Sequence, residues 1–327
     1  MKDKLTLQKN KLAKMLSGQL DEGCTNSSNR RRKKSLMAVM CNRIIQLRRL
    51  GKERTSETYA AALKSFMTFR GYRDVSIERL TTVMMQEYEA WLKAKGISMN
   101  TTSFYMRILR AAYNRAVDEG LAKQQFPFRH VYTGICKTVK RAVSVEDIKR
   151  IKRLDLSGRP ALDFARDMFM FSFYMRGMSF IDMAYLKKTD LQGGVLCYRR
   201  RKTGQLLYIR WERCMQCIIE KYADTGTGYL LPIIRAGGGN DRLQYQNAMR
   251  LVNNKLKQVA VLAGMSGGLT MYVTRHSWAS IARSKHIPLS VISEGMGHDN
   301  EATTQIYLAS IDAATVDRAN RLILRNL

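Results

Sequence analysis

The chain has 327 residues, 45% of them hydrophobic, enough for two domains that each bury a core. No apolar run reaches the roughly 18 residues of a membrane span, the Lys-rich start leads into no apolar leader core, and six scattered cysteines argue against a disulfide framework. Lys and Arg number 56 against 27 Asp and Glu, a formal net charge of +29, so a polyanionic partner is expected and the location is read as cytoplasmic, in association with the nucleoid.

The excess charge runs through the whole chain, which suits wrapping around a nucleic acid; ribosomal or membrane-surface binding would share the charge, so charge alone does not choose. Residues 1–50 carry 13 Lys and Arg against 3 Asp and Glu and read as a basic arm. Within it Arg30, Arg31, Arg32, Lys33 and Lys34, expected to contact DNA, follow the polar run 25–29. The spacing of Leu36, Val39, Met40, Ile44 and Leu47 predicts a helix after that run. Ser56 is expected to cap a helix presenting Tyr59, Leu63 and Phe66. A second helix shows Leu80, Val83, Met84, Tyr88, Trp91 and Leu92, and a third starts near Asn100 or Thr101 and ends at Gly120. One apolar face per helix makes residues 51–125 a small bundle.

Periodicity fails between Phe126 and Ala142, so residues 126–142 are expected to be a linker, and Ser144 with Asp147 looks like the cap that opens a second domain, 143–327. That domain starts helical over Val145–Leu154 and Ala161–Met175. Two β-prone runs on either side of Lys202-Thr203-Gly204 predict a hairpin, and helices resume at Cys214–Tyr222 and from Leu243. The fold class is therefore mainly α with a small antiparallel β-sheet. Cys214 and Cys217 form a C-x-x-C with no second pair or suitably placed His, so they are read as helix residues and no metal is assigned.

The chemistry is carried near the C-terminus, where Tyr272-Val-Thr-Arg275-His276 is followed by Gly297-His298 and, nine residues after His298, by Tyr307. This order resembles the signature of the tyrosine recombinase, or phage integrase, family: H-x-x-R-H, then L-G-H, then a nucleophilic Tyr. The stretch 176–191 is similar to that family's T-G-x-R-x-x-[DE]-x-x-x-L-x-x-x-D box through Asp182, Leu186 and Asp190. Two positions depart from it: Ser179 stands where the box has Arg, with Arg176 three residues earlier, and Tyr272 replaces the first His. Both departures resemble integrases of conjugative transposons and phages of gut anaerobes.

The resemblance implies a helical-bundle, SAM-like core-binding domain and a tyrosine recombinase catalytic domain. It implies a site-specific DNA recombinase, an integrase, excision enzyme or invertase, acting through a 3′-phosphotyrosine intermediate on Tyr307. Planar Arg suits the charge that spreads over phosphate oxygens in such a reaction, which gives Arg275 and Arg176 the clamp; three residues apart, Arg176 and Ser179 are expected on one helical face. Lys202 on the hairpin is placed to give the leaving 5′-hydroxyl its proton, with Arg199, Arg200 and Arg201 holding the DNA backbone. His298 orients the site or bonds the phosphate, Tyr272 donates a hydrogen bond, and His276 supports the site from behind. Arg and Lys supply the positive charge, so no metal is required, and the phosphotyrosine conserves bond energy, so no nucleotide cofactor is needed. Two other readings stay open: a type IB topoisomerase-like enzyme and a catalytically inactive DNA-binding protein of the same fold. Val316, Ala319 and Ile323, with Leu322 alongside, form a terminal apolar stripe. The resemblance implies docking of that stripe on a neighbour: a monomer in free solution and a homotetramer on paired double-stranded DNA sites, possible accessory DNA-bending proteins, and no membrane.

Overall fold

The computed structural model describes residues 10, 34–136, 138, 141–222, 226–298 and 300–308, without the side chains of residues 306 and 307. The chain divides into two compact units, 1–138 and 139–327. Among the described residues no helix is long and apolar enough to cross a membrane.

In the first unit, α1 (Leu36–Arg49), α2 (Glu53–Phe69), α3 (Thr82–Ala94) and α4 (Met99–Asp118) form the bundle. Ser35, Thr81 and Ser98 cap α1, α3 and α4, each hydroxyl accepting from a backbone N–H of the first turn. The core gathers Met40, Ile44, Phe66, Tyr88, Leu109 and Tyr113. Three expectations are corrected here. Ser56 lies inside α2, which begins after Lys52, and its hydroxyl donates to the Glu53 carbonyl at 2.7 Å. Helix α1 belongs to the bundle and not to an arm, because its apolar stripe is buried against α2 and α4. The segment read as a linker from residue 126 starts within the bundle: Phe128 and Val131 are buried in its core, and Asn100 holds Cys136 by a pair of hydrogen bonds at 3.0 and 2.8 Å.

In the second unit, Ser144 and Asp147 form a capping box that starts α5 (Val145–Arg153). Helix α6 (Pro160–Tyr174) is the centre of the core; Met168, Phe169 and Phe171 are fully buried along it. Burying a side chain of that size contributes roughly 1.5–3 kcal/mol. After α6 come α7 (Phe180–Ala184) and a three-stranded antiparallel sheet of β1 (Leu191–Gln192), β2 (Val195–Arg199) and β3 (Leu206–Arg210), in that spatial order. Helices α8 (Arg213–Lys221), α9 (Asp241–Leu262), α10 (Met271–Ser284), α11 (Leu289–Met296) and α12 (Glu301–Tyr307) complete the described part. Both α9 and α10 pack on α6. Cys214 and Cys217 lie on α8, one half-buried and one exposed.

The sharpest approach is between the turn after α6 and α10. A Cβ on Gly177 would stand 2.5 Å from Arg275 Cα, and Gly177 has φ +72°. Gly177→Ala is expected to lower stability by about 2–4 kcal/mol, from overpacking added to left-handed strain. Gly204→Ala, at φ +76° with open space around it, is expected to lose only the strain, about 1 kcal/mol. Urea midpoints of the two variants check this; equal losses would refute the close packing of Gly177.

Candidate active site

Arg275 lies in the first turns of α10 and is 5% exposed. A guanidinium does not lose its charge, so a buried one needs acceptors for its N–H groups. Arg275 Nη1 donates to the Gly177 carbonyl at 3.1 Å, and Nη2 donates to the Met296 carbonyl at 2.5 Å and to His298 Nε2 at 2.9 Å. The turn after α6, the end of α11 and the turn before α12 are thereby gathered on one side chain.

His298 follows Gly297, whose φ of +64° ends α11 in the left-handed conformation. Since Arg275 only donates, Nε2 accepts, and the ring proton sits on Nδ1, which donates to Thr304 Oγ1 at 2.8 Å. Thr304 is fully buried on α12, one turn before Tyr307. Burial holds the imidazole down to about 4, and the charges of Arg275, Arg200 and Lys202 add to the effect. His298 is therefore neutral at pH 7.

The hairpin reaches the same turn. Arg200, one residue past β2, is 7% exposed and donates to the Gly297 carbonyl at 2.5 Å, while its backbone N–H donates to Gln205 O at 2.8 Å. A Cβ on Gly297 would meet Leu207 at 2.8 Å and Gln205 at 3.0 Å, so the hairpin leans directly on the residue before His298. Lys202 is exposed at the hairpin turn. Buried Tyr198 on β2 feels Arg275, Arg200 and Arg176 together; they oppose burial and Asp182, which push its phenol up. Four cations from three stretches of sequence thus act on one pocket.

The comparisons with known proteins give the family and the fold. The profile described as "Phage integrase SAM-like domain" matches residues 35–131, and that described as "Phage integrase family" matches residues 169–313. The chain belongs to the phage integrase family of tyrosine recombinases. It is 26% identical over 282 residues to the tyrosine recombinase XerA of Pyrococcus furiosus, covering 84% of this chain and 90% of that protein. Among solved structures it is similar to a lambda integrase (75–356) dimer bound to a COC′ core site, with a TM-score of 0.65, 16% identity, and 84% and 95% of the two chains covered. A lambda integrase tetramer bound to a Holliday junction matches with a TM-score of 0.65, 16% identity, and coverage of 92% and 84%. These likenesses show the fold.

The residues singled out in the sequence fall into three groups. Arg275, His298, Arg176 and Lys202 converge as described. Tyr307 is the last residue of α12, and its side chain lies outside the described part. Others take different places. Arg176 and Ser179 do not share a helical face: Arg176 has φ +59° in the turn after α6, and Ser179 caps the separate helix α7. The Arg176 side chain runs toward α11, its Cδ 3.7 Å from where a Cβ of Gly295 would stand. The Ser179 hydroxyl donates to Asp182 Oδ2 at 2.6 Å, so it serves as a cap. Among the three hairpin arginines, Arg199 is exposed and bonds the Gly204 carbonyl at 2.5 Å. Arg201 places its guanidinium 3.9 Å from the centre of the Tyr185 ring, and its backbone N–H donates to Asp182 Oδ1 at 2.9 Å. Arg200, expected on the DNA backbone, is instead buried in the site. Tyr272 is 56% exposed and meets the buried His276 ring edge-on at 4.7 Å. Lys34 pairs with Glu78 at 2.5 Å, while Arg30, Arg31, Arg32 and Lys33 lie outside the described residues. Sequence reasoning missed Thr304, Gly177 and the inward turn of Arg200; only the last had a signal, the alternation of Leu196, Tyr198 and Arg200 toward one side.

Because the folded-state value of His298 lies below its ordinary value of about 6.5, its neutral form contributes stability above that pH, and the contribution is lost as pH falls toward about 4. NMR titration of the DNA-free protein is expected to place His298 near 4, and Lys202→Ala to move it upward by removing a cation. A midpoint near 6.5 in the parent would contradict the buried, cation-facing ring.

Proposed function

We propose that this site-specific recombinase cuts and rejoins DNA through a 3′-phosphotyrosine on Tyr307. The Tyr307 phenol loses its proton to solvent as its oxygen attacks phosphorus, the P–O5′ bond breaks, and the departing 5′-oxygen takes a proton from Lys202; reversal with a second 5′-hydroxyl breaks the phosphotyrosine, returns a proton to Tyr307 and reseals a new strand. Arg275 and Arg176 bind the non-bridging oxygens, whose charge grows in the transition state. Arg200 holds the Lys202 hairpin onto Gly297, and neutral His298 orients Arg275 by accepting one of its N–H groups without adding charge. Tyr272, half-exposed one turn before Arg275, donates to the phosphate, and His276 supports it. Arg199, with the basic residues 30–34, contributes to the DNA backbone contacts. This set uses no metal and no nucleotide cofactor.

The observation that carries this reading is the meeting of Arg275, His298, Arg200 and Lys202 at the turn that leads into the helix ending at Tyr307. A DNA-binding protein that had lost catalysis would have no use for three cations and a neutral imidazole gathered there. The lambda integrase tetramer bound to a Holliday junction supports assembly on paired DNA sites; that the protein is a monomer in free solution is a separate expectation. The terminal stripe proposed to link the copies lies outside the described residues.

Tyr307→Phe is expected to keep DNA binding and abolish the covalent protein–DNA adduct, read on denaturing gels. Adduct at the parent level would reject the assignment. Arg275→Ala should cost about 2.7–4 kcal/mol in the cleavage barrier, the range for loss of one transition-state donor.

The clamp makes a separate claim. Arg176→Ala is expected to cripple adduct formation, while Ser179→Ala loses a helix cap, about 1 kcal/mol of stability, and cleaves nearly as the parent does. A mild Arg176→Ala phenotype in single-turnover cleavage would show that Arg176 does not bind the phosphate.

A further inference from the structure

We propose that Thr304 is a positioning residue for strand cleavage: its buried hydroxyl accepts the Nδ1–H that Arg275 imposes on His298 and thereby ties Arg275 to the helix that ends in Tyr307. The proposal rests on the reading of this pocket as the recombination site.

Two hydrogen-bonding neighbours of the imidazole lie among the described residues, and both are set by the fold. On one side Arg275 Nη2 stands 2.9 Å from Nε2 and offers only N–H, so Nε2 presents its lone pair. A neutral ring then has its one proton on Nδ1, and the atom 2.8 Å away is Thr304 Oγ1. The opposite tautomer would set an Nε2–H against an Arg275 N–H and leave Nδ1 to accept from the hydroxyl. Thr304 is fully buried, so no solvent replaces its oxygen if it is removed. The His298 backbone is held as well, its N–H donating to the Ser293 carbonyl at 3.0 Å. The contact between ring and hydroxyl is thus a polar link from Arg275 into α12. Helix α12 is also anchored beyond Tyr307, where Leu308 is buried with Ala279, Ala282, Ile292 and Met296, and Arg283 Nη1 donates to the Leu308 carbonyl at 3.2 Å. The apolar anchor fixes the depth of the helix, and the Thr304 contact fixes its rotation about the His298 ring. A rotation that moves the nucleophile by about 1 Å is enough to cost on the order of 10²-fold in rate.

The test compares Thr304→Val, which replaces the hydroxyl with a methyl of similar volume, with Thr304→Ser, which keeps the hydroxyl. The substrate is a nicked duplex carrying a site selected with this protein from a random pool. Thr304→Val is expected to bind it as the parent does and to form the covalent adduct about 10²-fold more slowly, with Thr304→Ser restoring the rate. In ¹⁵N spectra of the parent, His298 Nδ1 is expected to be the protonated ring nitrogen and Nε2 the bare one, and Thr304→Val to keep that tautomer while shifting the Nδ1 resonance as its acceptor is lost. Parent-like cleavage by Thr304→Val would overturn the proposal, as would equal slowness in Thr304→Ser or an Nε2–H signature in the parent. If the parent itself formed no adduct, the recombinase reading of the site would fall, while the ring-nitrogen signature would still decide the role of Thr304.

Discussion

The catalytic unit is organised around a permanent charge taken out of water. A buried guanidinium left without acceptors costs several kcal/mol, and Arg275 cannot shed its proton to escape that cost. Among the described residues its partners include two backbone carbonyls and an imidazole nitrogen, drawn from the turn after α6 and the turn between α11 and α12. Met296 is the last residue of α11, where helix carbonyls lack intrahelical partners and carry partial negative charge. Placing the helix end there satisfies both groups at once. Gly177 has to be glycine for the same reason: its carbonyl reaches the guanidinium only because no Cβ separates the turn from α10.

That arrangement leaves the pocket positive and its histidine neutral. Arg275, Arg200 and Lys202 all disfavour a charged His298, and burial disfavours it more. An imidazolium would add repulsion to a site already crowded with cations, whereas the neutral ring absorbs one Arg275 N–H and passes a donor to Thr304. A pocket of fixed cations is suited to a phosphate, whose arrival relieves the repulsion. Asp182, a buried carboxylate, is occupied by the Ser179 hydroxyl and the Arg201 backbone N–H. It fixes the polypeptide around the pocket.

The features legible in the sequence share a physical basis: periodicity and order. Apolar residues at helical spacing, such as Leu36, Met40 and Ile44, mark bundle helices because a helix must bury one face, and the hairpin around Lys202 followed from two β-prone runs and a turn. The order Arg275, His298, Tyr307 pointed to the chemistry because joint spacing is informative where single residues are not. What was hidden depends on tertiary contact. A left-handed φ at Arg176 is not written in local composition, so the turn that separates it from Ser179 read as continuous helix. Ser56 has the chemistry of a cap, but Lys52 already precedes the helix and the Ser56 hydroxyl bonds backwards to Glu53. Residues 126–136 lack periodicity because they are held by single buried side chains and by Asn100, a kind of order that has no repeat.

The run Arg199-Arg200-Arg201-Lys202 shows how the two kinds of information combine. As composition it is a charged turn, solvated throughout. As an extended strand it alternates, and the alternation that buries Leu196 and Tyr198 continues one step beyond β2 to Arg200. The buried arginine then finds the Gly297 carbonyl, on the turn that also presents His298. Gly297 is flanked by Leu207 and Gln205 so closely that a side chain there would separate hairpin from turn. Lys202 and α12 are therefore referred to one fixed point, the Gly297–His298 turn: the hairpin through Arg200, the helix through Thr304. A displacement of that turn moves both. In the proposed reaction the group that protonates the leaving oxygen and the group that attacks phosphorus are positioned by the same residue pair, so a fold this small aligns them without a separate device for each.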